Sequence, residues 1–478
     1  MAASRWIVIG GGITGLTAAY RLREGAARAG RPLDVLCLEA DARPGGHART
    51  RCEDGFVVEE GPNGFLDSPR DPVVSTLARD LGIAERLAEG LPESKRRFIC
   101  LGGRLRLVPE GPGPLVSSDL LSPAGKLRLL LEPLARRAPA DREETVFEFA
   151  ARRVGREAAE ALIDTAVSGI SGGDSRQLAV AAAFPLMTEM ERDYGSLIVA
   201  MMKRGKGARS RLLSFDTGLG ALTEALSARL GPALRLGARV AGLARGDGGW
   251  RVRLEDGDEL AADGVVLSLP ARSAAPVVEP LDPGMAGAFR EFPTAGLAVV
   301  GLAYRRADVA HPLNGYGYLV ARREGLDTLG VVWESSLFPG RAPQERVLLR
   351  AILGGVSRPQ VMDLSEGALA QRARDELARV LGITATPVQV WTARWPHAIT
   401  QYTVGHPARV ARVRALAERH PGLEICGSAY DGISFSASVA SGEKLAVRVL
   451  DGLAAPAAGV RADPAAAGDR SAQPAARA

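Results

Sequence analysis

Cysteine is scarce. Cys37, Cys52, Cys100 and Cys426 are the only four in 478 residues, and no two of them form a Cys-x-x-Cys. That spacing supports neither a disulfide framework nor a zinc site, no other metal site is expected, and buried free thiols in a reducing compartment are the expectation. Long apolar runs are also missing. None reaches the ~20 residues that span a bilayer, and the apolar start Trp6-Ile7-Val8-Ile9 runs straight into glycine, so it reads as a strand and not as a secretory signal. Basic residues exceed acidic ones by 60 to 55, a net charge of +5. Yet there is no Lys/Arg block and no alternation of basic and aromatic residues, which argues against a nucleic-acid partner. The mild excess suits an anionic small substrate or an anionic membrane surface. No repeat of solenoid length is present.

What the chain does have is material for a large core: 46% apolar residues against 24% charged, ordinary for a globular protein of two or three domains. The first forty residues read as β-α-β, with strands at 6–9 and 33–38 around a helix at 14–29. Residues 71–90 read as helical with Gly82 interrupting, and 95–108 as a strand pair turning at Gly102-Gly103. The stretch 122–205 is a mostly helical block by its spacing. Alternation then predicts strands at 235–243, 250–254 and 265–269, and a second sheet from 296–304, 316–320, 329–333 and 347–353. A helix at 364–381, a strand at 423–426 and a helix at 436–450 follow. The Ala/Pro/Gly/Arg-rich tail, 453–478, is expected to be disordered.

Gly10-Gly11-Gly12-Ile13-Thr14-Gly15 follows the first strand and opens the first helix. Gly10 permits the tight turn, Gly12 a close backbone approach to a pyrophosphate, and Gly15 close helix–strand packing. The phosphates would meet free N–H groups and the positive end of the helix dipole. Glu39, ending the next strand, is placed to accept hydrogen bonds from ribose hydroxyls. Three further turns separate a flavin from a nicotinamide dinucleotide: Arg43-x-Gly45-Gly46, Glu60-Gly61-Pro62-Asn63-Gly64, and Gly427 to Gly432 far down the chain. A long, extended FAD needs such remote contacts at its isoalloxazine end, whereas a simple nicotinamide domain is contiguous.

Together, Gly10–Gly15, the Arg43-x-Gly-Gly pair and Gly427-Ser-Ala-Tyr-Asp-Gly432 resemble the flavin-containing amine oxidase superfamily. Gly61–Leu66, Gly169-Ile-Ser-Gly-Gly-Asp174, Phe184-Pro185, Gln401-Tyr-Thr-Val-Gly-His406 and Ala429–Ile433 are similar to its porphyrinogen oxidases. The resemblance covers residues 4–452. It implies an α/β chain with a discontinuous Rossmann-type FAD-binding domain (4–90, 208–272 and 422–452), a helical cap domain (91–207) that touches the membrane in some members, and a separate mixed-sheet substrate domain (273–421). It also implies cofactor contacts at Gly10, Gly11, Gly12, Ile13, Thr14, Gly15, Glu39, Gly46, His47, Gly61, Pro62, Asn63 and Gly64. Val240 would pair its backbone with the adenine, and Ser428, Ile433, Ser434 and Phe435 would line the flavin ring. On the substrate side Arg97 would meet a propionate, the Gly169 carbonyl the pyrrole N–H groups, and Leu319 and Ile352 the faces of the macrocycle. Three positions depart from the pattern. His47 stands where relatives vary, Ser171 replaces an aromatic, which would loosen the pocket, and Phe435-Ser-Ala-Ser438 replaces an Asn-Asp-Cys-like run.

The implied activity is FAD-dependent, six-electron oxidation of a porphyrinogen to a porphyrin in haem biosynthesis, with O2 reoxidising the flavin. The implied substrate is protoporphyrinogen IX or coproporphyrinogen III. No protein base is assigned, and His397 and His406 read as structural. Arg97, with Arg96 beside it, supplies the cation that an apolar, carboxylate-edged disc requires. The alternatives are an amine oxidase, which wants an aromatic cage that 5% aromatics hardly furnish, a polyene desaturase, and a flavin-bearing scaffold without turnover. A cytoplasmic protein is expected, with peripheral contact at the inner face of the membrane through 122–140 and a homodimer left open.

Overall fold

A computed structural model describes residues 3–68, 71–109, 114, 117–138, 142–203, 210–246 and 248–454. The tail expected at 453–478 lies, beyond Ala454, outside the described residues. The chain opens as predicted: β1 (Ser4–Ile9), α1 (Ile13–Arg28) and β2 (Leu33–Leu38). β1 lies at the centre of a five-stranded sheet ordered Leu234–Arg235, β2, β1, Gly264–Leu267, Leu423–Ile425, with every pairing parallel. Ile7 and Val8 are both wholly buried, because a parallel sheet is covered on both faces and side chains of both parities must be apolar. One cover is α1 packed on the last helix, Phe435–Ala454. The two approach so closely that a Cβ on Gly442 would lie 2.5 Å from the Thr14 carbonyl oxygen. The other cover is the strand–helix layer of Trp250, Val252, Ala274, Val278 and Phe289.

The second sheet has seven strands in the order Gln389–Thr400, Thr294–Arg305, Arg346–Gly354, Thr328–Trp333, Gly317–Val320, Arg97–Leu101, Arg104–Leu107. Its pairings are antiparallel except that Gly317–Val320 runs parallel to Arg97–Leu101. One face is sealed by the helix Glu366–Leu381, through Val300, Leu302, Val331, Leu349, Ala351 and Leu353. The region between the sheets is helical as expected. It includes Val146–Val154, opened by a Thr145/Glu148 capping box, as well as Thr165–Ser171, Pro185–Tyr194 and Leu197–Lys203.

Four expectations need correction. The helix expected over 71–90 ends at Asp80, because Gly82 takes φ +78°, and Leu87–Glu89 is instead a strand paired with Arg211–Phe215. The strand expected at 235–243 breaks at Gly237 (φ +66°) into Leu234–Arg235 and Val240–Gly246, which belong to different sheets. The strand Gln389–Thr400 was not foreseen. It contains Pro396 and alternates weakly, which an edge strand tolerates. Finally, Cys37, Cys100 and Cys426 are buried but Cys52 is exposed, on the hairpin strand Thr50–Glu53.

Candidate active site

Two glycines of the N-terminal turn, Gly10 and Gly15, could not be replaced without moving backbone. A Cβ on Gly10 (φ +108°) would lie 2.5 Å from the Ser268 carbonyl oxygen, and one on Gly15 only 1.9 Å from that of Gly10. The Gly11 N–H donates to Glu39 Oε2 at 2.7 Å, and the Asp41 N–H to Oε1 at 2.8 Å, so the carboxylate is fixed at the end of β2 with lone pairs to spare. Gly45 donates to the Gly11 carbonyl at 2.8 Å, and Gly46 faces Gly12. The Arg43-x-Gly-Gly turn is thereby laid against the first turn. The Ala238 N–H donates to the Glu39 carbonyl, which brings the segment leading to Val240 to the same place. Val240 itself turns its side chain into the core.

The next turn, Gly61–Gly64, lies over His47, where a Cβ on Gly61 would come within 1.9 Å of the His47 carbonyl oxygen. His47 stands edge-on to Trp395, with ring centroids 4.8 Å apart. Burial, and then the charge of Arg49, push its pKa down to about 4 and keep it neutral. From the far end of the chain Ser428, Ile433 and Ser434 arrive on the bend before the last helix. The Ser434 hydroxyl accepts the Ala437 N–H at 3.1 Å, and Phe435 and Ser436 open the first turn. The Phe435 ring stacks on Phe65 in the core (5.9 Å), which leaves its backbone to face the bend.

The open face of the seven-stranded sheet looks towards these turns. Register places Arg97, Gly317, Val332, Arg350, Gly301 and Trp391 in one row across it, and Ile99, Leu319, Gly330, Ile352, Val299 and Ala393 in the next. Leu319 and Ile352 are thus separated by a glycine alone. Both are half-buried, whereas their alternates Tyr318, Val320, Ala351 and Leu353 are buried on the sealed face. Gly169 is laid directly on Leu319: a Cβ there would fall 2.3 Å from Leu319 Cδ2. Arg97 is exposed, with its guanidinium 5.6 Å from the centroid of Tyr316, whose hydroxyl meets the Asn63 amide at 3.3 Å. Arg96 lies over Phe98, which packs on Trp333 of the sealed side. Ser171 is buried, and its hydroxyl donates to the Val167 carbonyl within its own helix.

The sequence profile of the flavin-containing amine oxidoreductases matches residues 13–450. The chain belongs to that family. Among similar proteins, the chloroplastic protoporphyrinogen oxidase of Oryza sativa subsp. japonica is 33% identical over 93% of this chain and 88% of its own length. The coproporphyrinogen III oxidase of Bacillus subtilis is 28% identical over 91% and 96%. A solved structure from an Exiguobacterium species, provisionally named a protoporphyrinogen oxidase, superposes with a TM-score of 0.82 at 28% identity, over 94% of this chain and 99% of that one. A UDP-galactopyranose mutase, at 14% identity and TM-score 0.72, shares the fold alone.

As a flavin-containing amine oxidoreductase the protein is an FAD-dependent enzyme, and its glycine cradle suits that cofactor: Gly10, Gly15 and Gly61 leave no room for a Cβ, and Glu39 is fixed beside them. Several residues that hold this site escaped the sequence. Arg350 and Glu334, 4% and 0% exposed at the side chain, pair at 2.6 Å in the interior, and Arg350 Nη1 donates to the Gly61 carbonyl at 2.6 Å. Trp395 Nε1 donates to the Glu60 carbonyl at 2.6 Å. Two side chains of the second sheet therefore suspend the Gly61–Gly64 turn. Leu66 and Ile170, beside that turn and Gly169 in sequence, expose 61% and 62% of their surface. For Leu66 and Ile170 the available signal was a large apolar residue next to a glycine motif.

Proposed function

We propose that the protein oxidises a porphyrinogen to the porphyrin. The observation that carries this reading is the sheet face itself. Arg97, Leu319 and Ile352 lie in adjacent rows, Gly169 is laid on Leu319, and Arg350 and Tyr316 tie the same face to the Gly61–Gly64 turn. A wide apolar disc with carboxylates at its rim fits such a wall, with one cation at the edge and backbone groups opposite. FAD, when bound, supplies the hydride acceptor, two electrons at a time, so the six-electron conversion takes three turnovers with O2 as the final acceptor. The chain's own part is positional. Arg97 orients a carboxylate, Leu319 and Ile352 hold the ring flat and exclude water, and the Gly169 carbonyl receives pyrrole N–H groups. Neither structural histidine supplies a base: His397 is engaged with Thr294 at 3.0 Å, and His406 is stacked beneath Tyr402. In this reading 4–90, 208–272 and 422–452 form the flavin unit, 91–207 the cap and 273–421 the substrate unit, to which the cap lends the hairpin 97–107. Of the two adjacent arginines, Arg96 is turned to the sealed side and Arg97 is left to the rim, and the reading commits to the porphyrinogen class.

The cap carries Leu127, Leu130, Leu131 and Leu134, exposed by 58, 49, 43 and 79%, next to Met201 and Met202 at 67 and 76%. Arg128, on the first helix of this patch, donates to the Arg152 and Arg153 carbonyls at 2.6 and 3.1 Å and ties the patch to the rest of the cap. The exposed leucines and methionines favour peripheral contact with a membrane surface. None of the helices among the described residues is long and apolar enough to cross a membrane. The deciding experiment is anaerobic addition of protoporphyrinogen IX or coproporphyrinogen III to the flavin-loaded protein. Bleaching of the flavin, with porphyrin fluorescence after air is admitted, is expected for at least one of them. No bleaching by either would defeat the reading.

A further inference from the structure

Gln401 and Tyr402 lie where the edge strand leaves the second sheet, 2% and 7% exposed. They touch three parts of the molecule at once. The Gln401 N–H donates to the Pro293 carbonyl (2.8 Å), and its side-chain Nε2 to that of Ser171 (3.0 Å), at the end of the helix that presents Gly169. The Tyr402 carbonyl accepts the Ala179 N–H (2.8 Å). The Tyr402 hydroxyl points the other way. It donates to the Ser428 carbonyl at 2.6 Å and accepts the Gly432 N–H at 2.8 Å, closing the bend that leads into the last helix.

That bend needs closing. It begins and ends on glycines at φ +126° (Gly427) and +124° (Gly432), a conformation with little intrinsic preference. Its second fastener is Ser441, whose hydroxyl accepts the Gly427 N–H at 2.9 Å and donates to Asp431 Oδ2 at 2.5 Å. Arg414 takes the other oxygen of Asp431 at 2.6 Å. Under the tyrosine lies His406. Its ring is stacked at 3.8 Å and 16° and edged by Phe292, and both of its nitrogens are buried with no hydrogen-bond partner among the described residues. The imidazole therefore contributes a flat face that fixes the phenol, and no proton.

We propose that Tyr402 is a positioning residue for the flavin: its hydroxyl fixes the Ser428–Gly432 bend against the cofactor from within the segment whose neighbour, Gln401, fixes the helix end presenting Gly169. One short stretch thus sets the gap between the flavin and the substrate-facing helix. The inference rests on the flavin seat described above and is independent of the substrate assigned to it.

Tyr402→Phe keeps the ring and its stack and removes the hydroxyl. Titration of the apoprotein with FAD is expected to show about 10-fold weaker binding, the scale of losing a hydrogen bond that leaves a buried partner unpaired. The visible circular dichroism band and the midpoint potential of the bound flavin are expected to move with it. Ser441→Ala loosens the same bend without touching the stack and is expected to give the same signature, so the test does not depend on Tyr402→Phe folding. Lowered melting temperatures with FAD affinity, dichroism and potential all at their unmutated values would overturn the clamp alone. An unmutated protein that takes up no FAD would overturn the seat and the clamp together.

Discussion

His406 makes the fold sensitive to acid in a way that can be isolated. Its ring is 3% exposed, and desolvation, with Arg409 nearby, pushes its pKa from 6.5 down to about 4. Between those values the unfolded chain takes up a proton that the native state refuses, so stability is full above pH 6.5 and is lost as the pH falls towards 4. At 1.36 kcal/mol per pH unit the loss is about 3 kcal/mol. His406→Phe keeps a flat ring beneath Tyr402 and has nothing to protonate. The variant carries a packing cost that does not vary with pH, while the acid response of His47 and of the carboxylates remains in both proteins. Urea denaturation of the apoproteins, followed by tryptophan fluorescence at pH 7, 6, 5 and 4, gives the difference in stability at each pH. That difference is expected to shift in favour of the variant by about 3 kcal/mol across the range. A difference that stays constant with pH would refute the assignment of a neutral, desolvated imidazole.

Gly15→Ala forces a methyl to within 1.9 Å of the Gly10 carbonyl oxygen, so the protein is expected to purify without visible flavin absorbance while keeping its far-ultraviolet dichroism. Arg97→Ala removes the rim cation and is expected to raise the KM for a porphyrinogen about 10-fold or more, with kcat within about 2-fold and flavin content unchanged. Arg350→Met strands Glu334 in the interior and is expected to cost about 3–5 kcal/mol in thermal unfolding. Adding Glu334→Gln should recover much of that.

The geometry of the glycine turn and the place of Glu39 beside it could be read from the sequence because the motif is local: strand, three glycines, helix and acid all fall within forty residues. Leu319 and Ile352 follow the alternation of their strands, but alternation cannot say which face is sealed. That depends on the helix Glu366–Leu381 covering the other one. The contacts that suspend the Gly61–Gly64 turn were out of reach for a different reason. Arg350 finds Gly61 across 289 positions and Trp395 finds Glu60 across 335, and no local pattern announces such partners. The edge strand carrying Trp395 was hidden by Pro396, and the hydroxyl of Tyr402 by a motif whose neighbours on the bend lie 26 and 30 residues further on.

The hairpin 97–107 has a consequence for synthesis. Its parallel neighbour, Gly317–Val320, leaves the ribosome roughly 200 residues later, about 10–40 s at ordinary elongation rates. During that wait the nascent strand has an unsatisfied edge. The segment made just behind it supplies Leu120, Leu121, Ala158 and Ala161, which in the finished protein cover Ile99 and Leu101. The cap can thus shield the apolar side of the hairpin long before the sheet exists, leaving only the backbone edge to be matched. A translation pause shortly before residue 317 would hold that edge open at its most vulnerable, and slow codons there should raise the fraction of product that needs a chaperone.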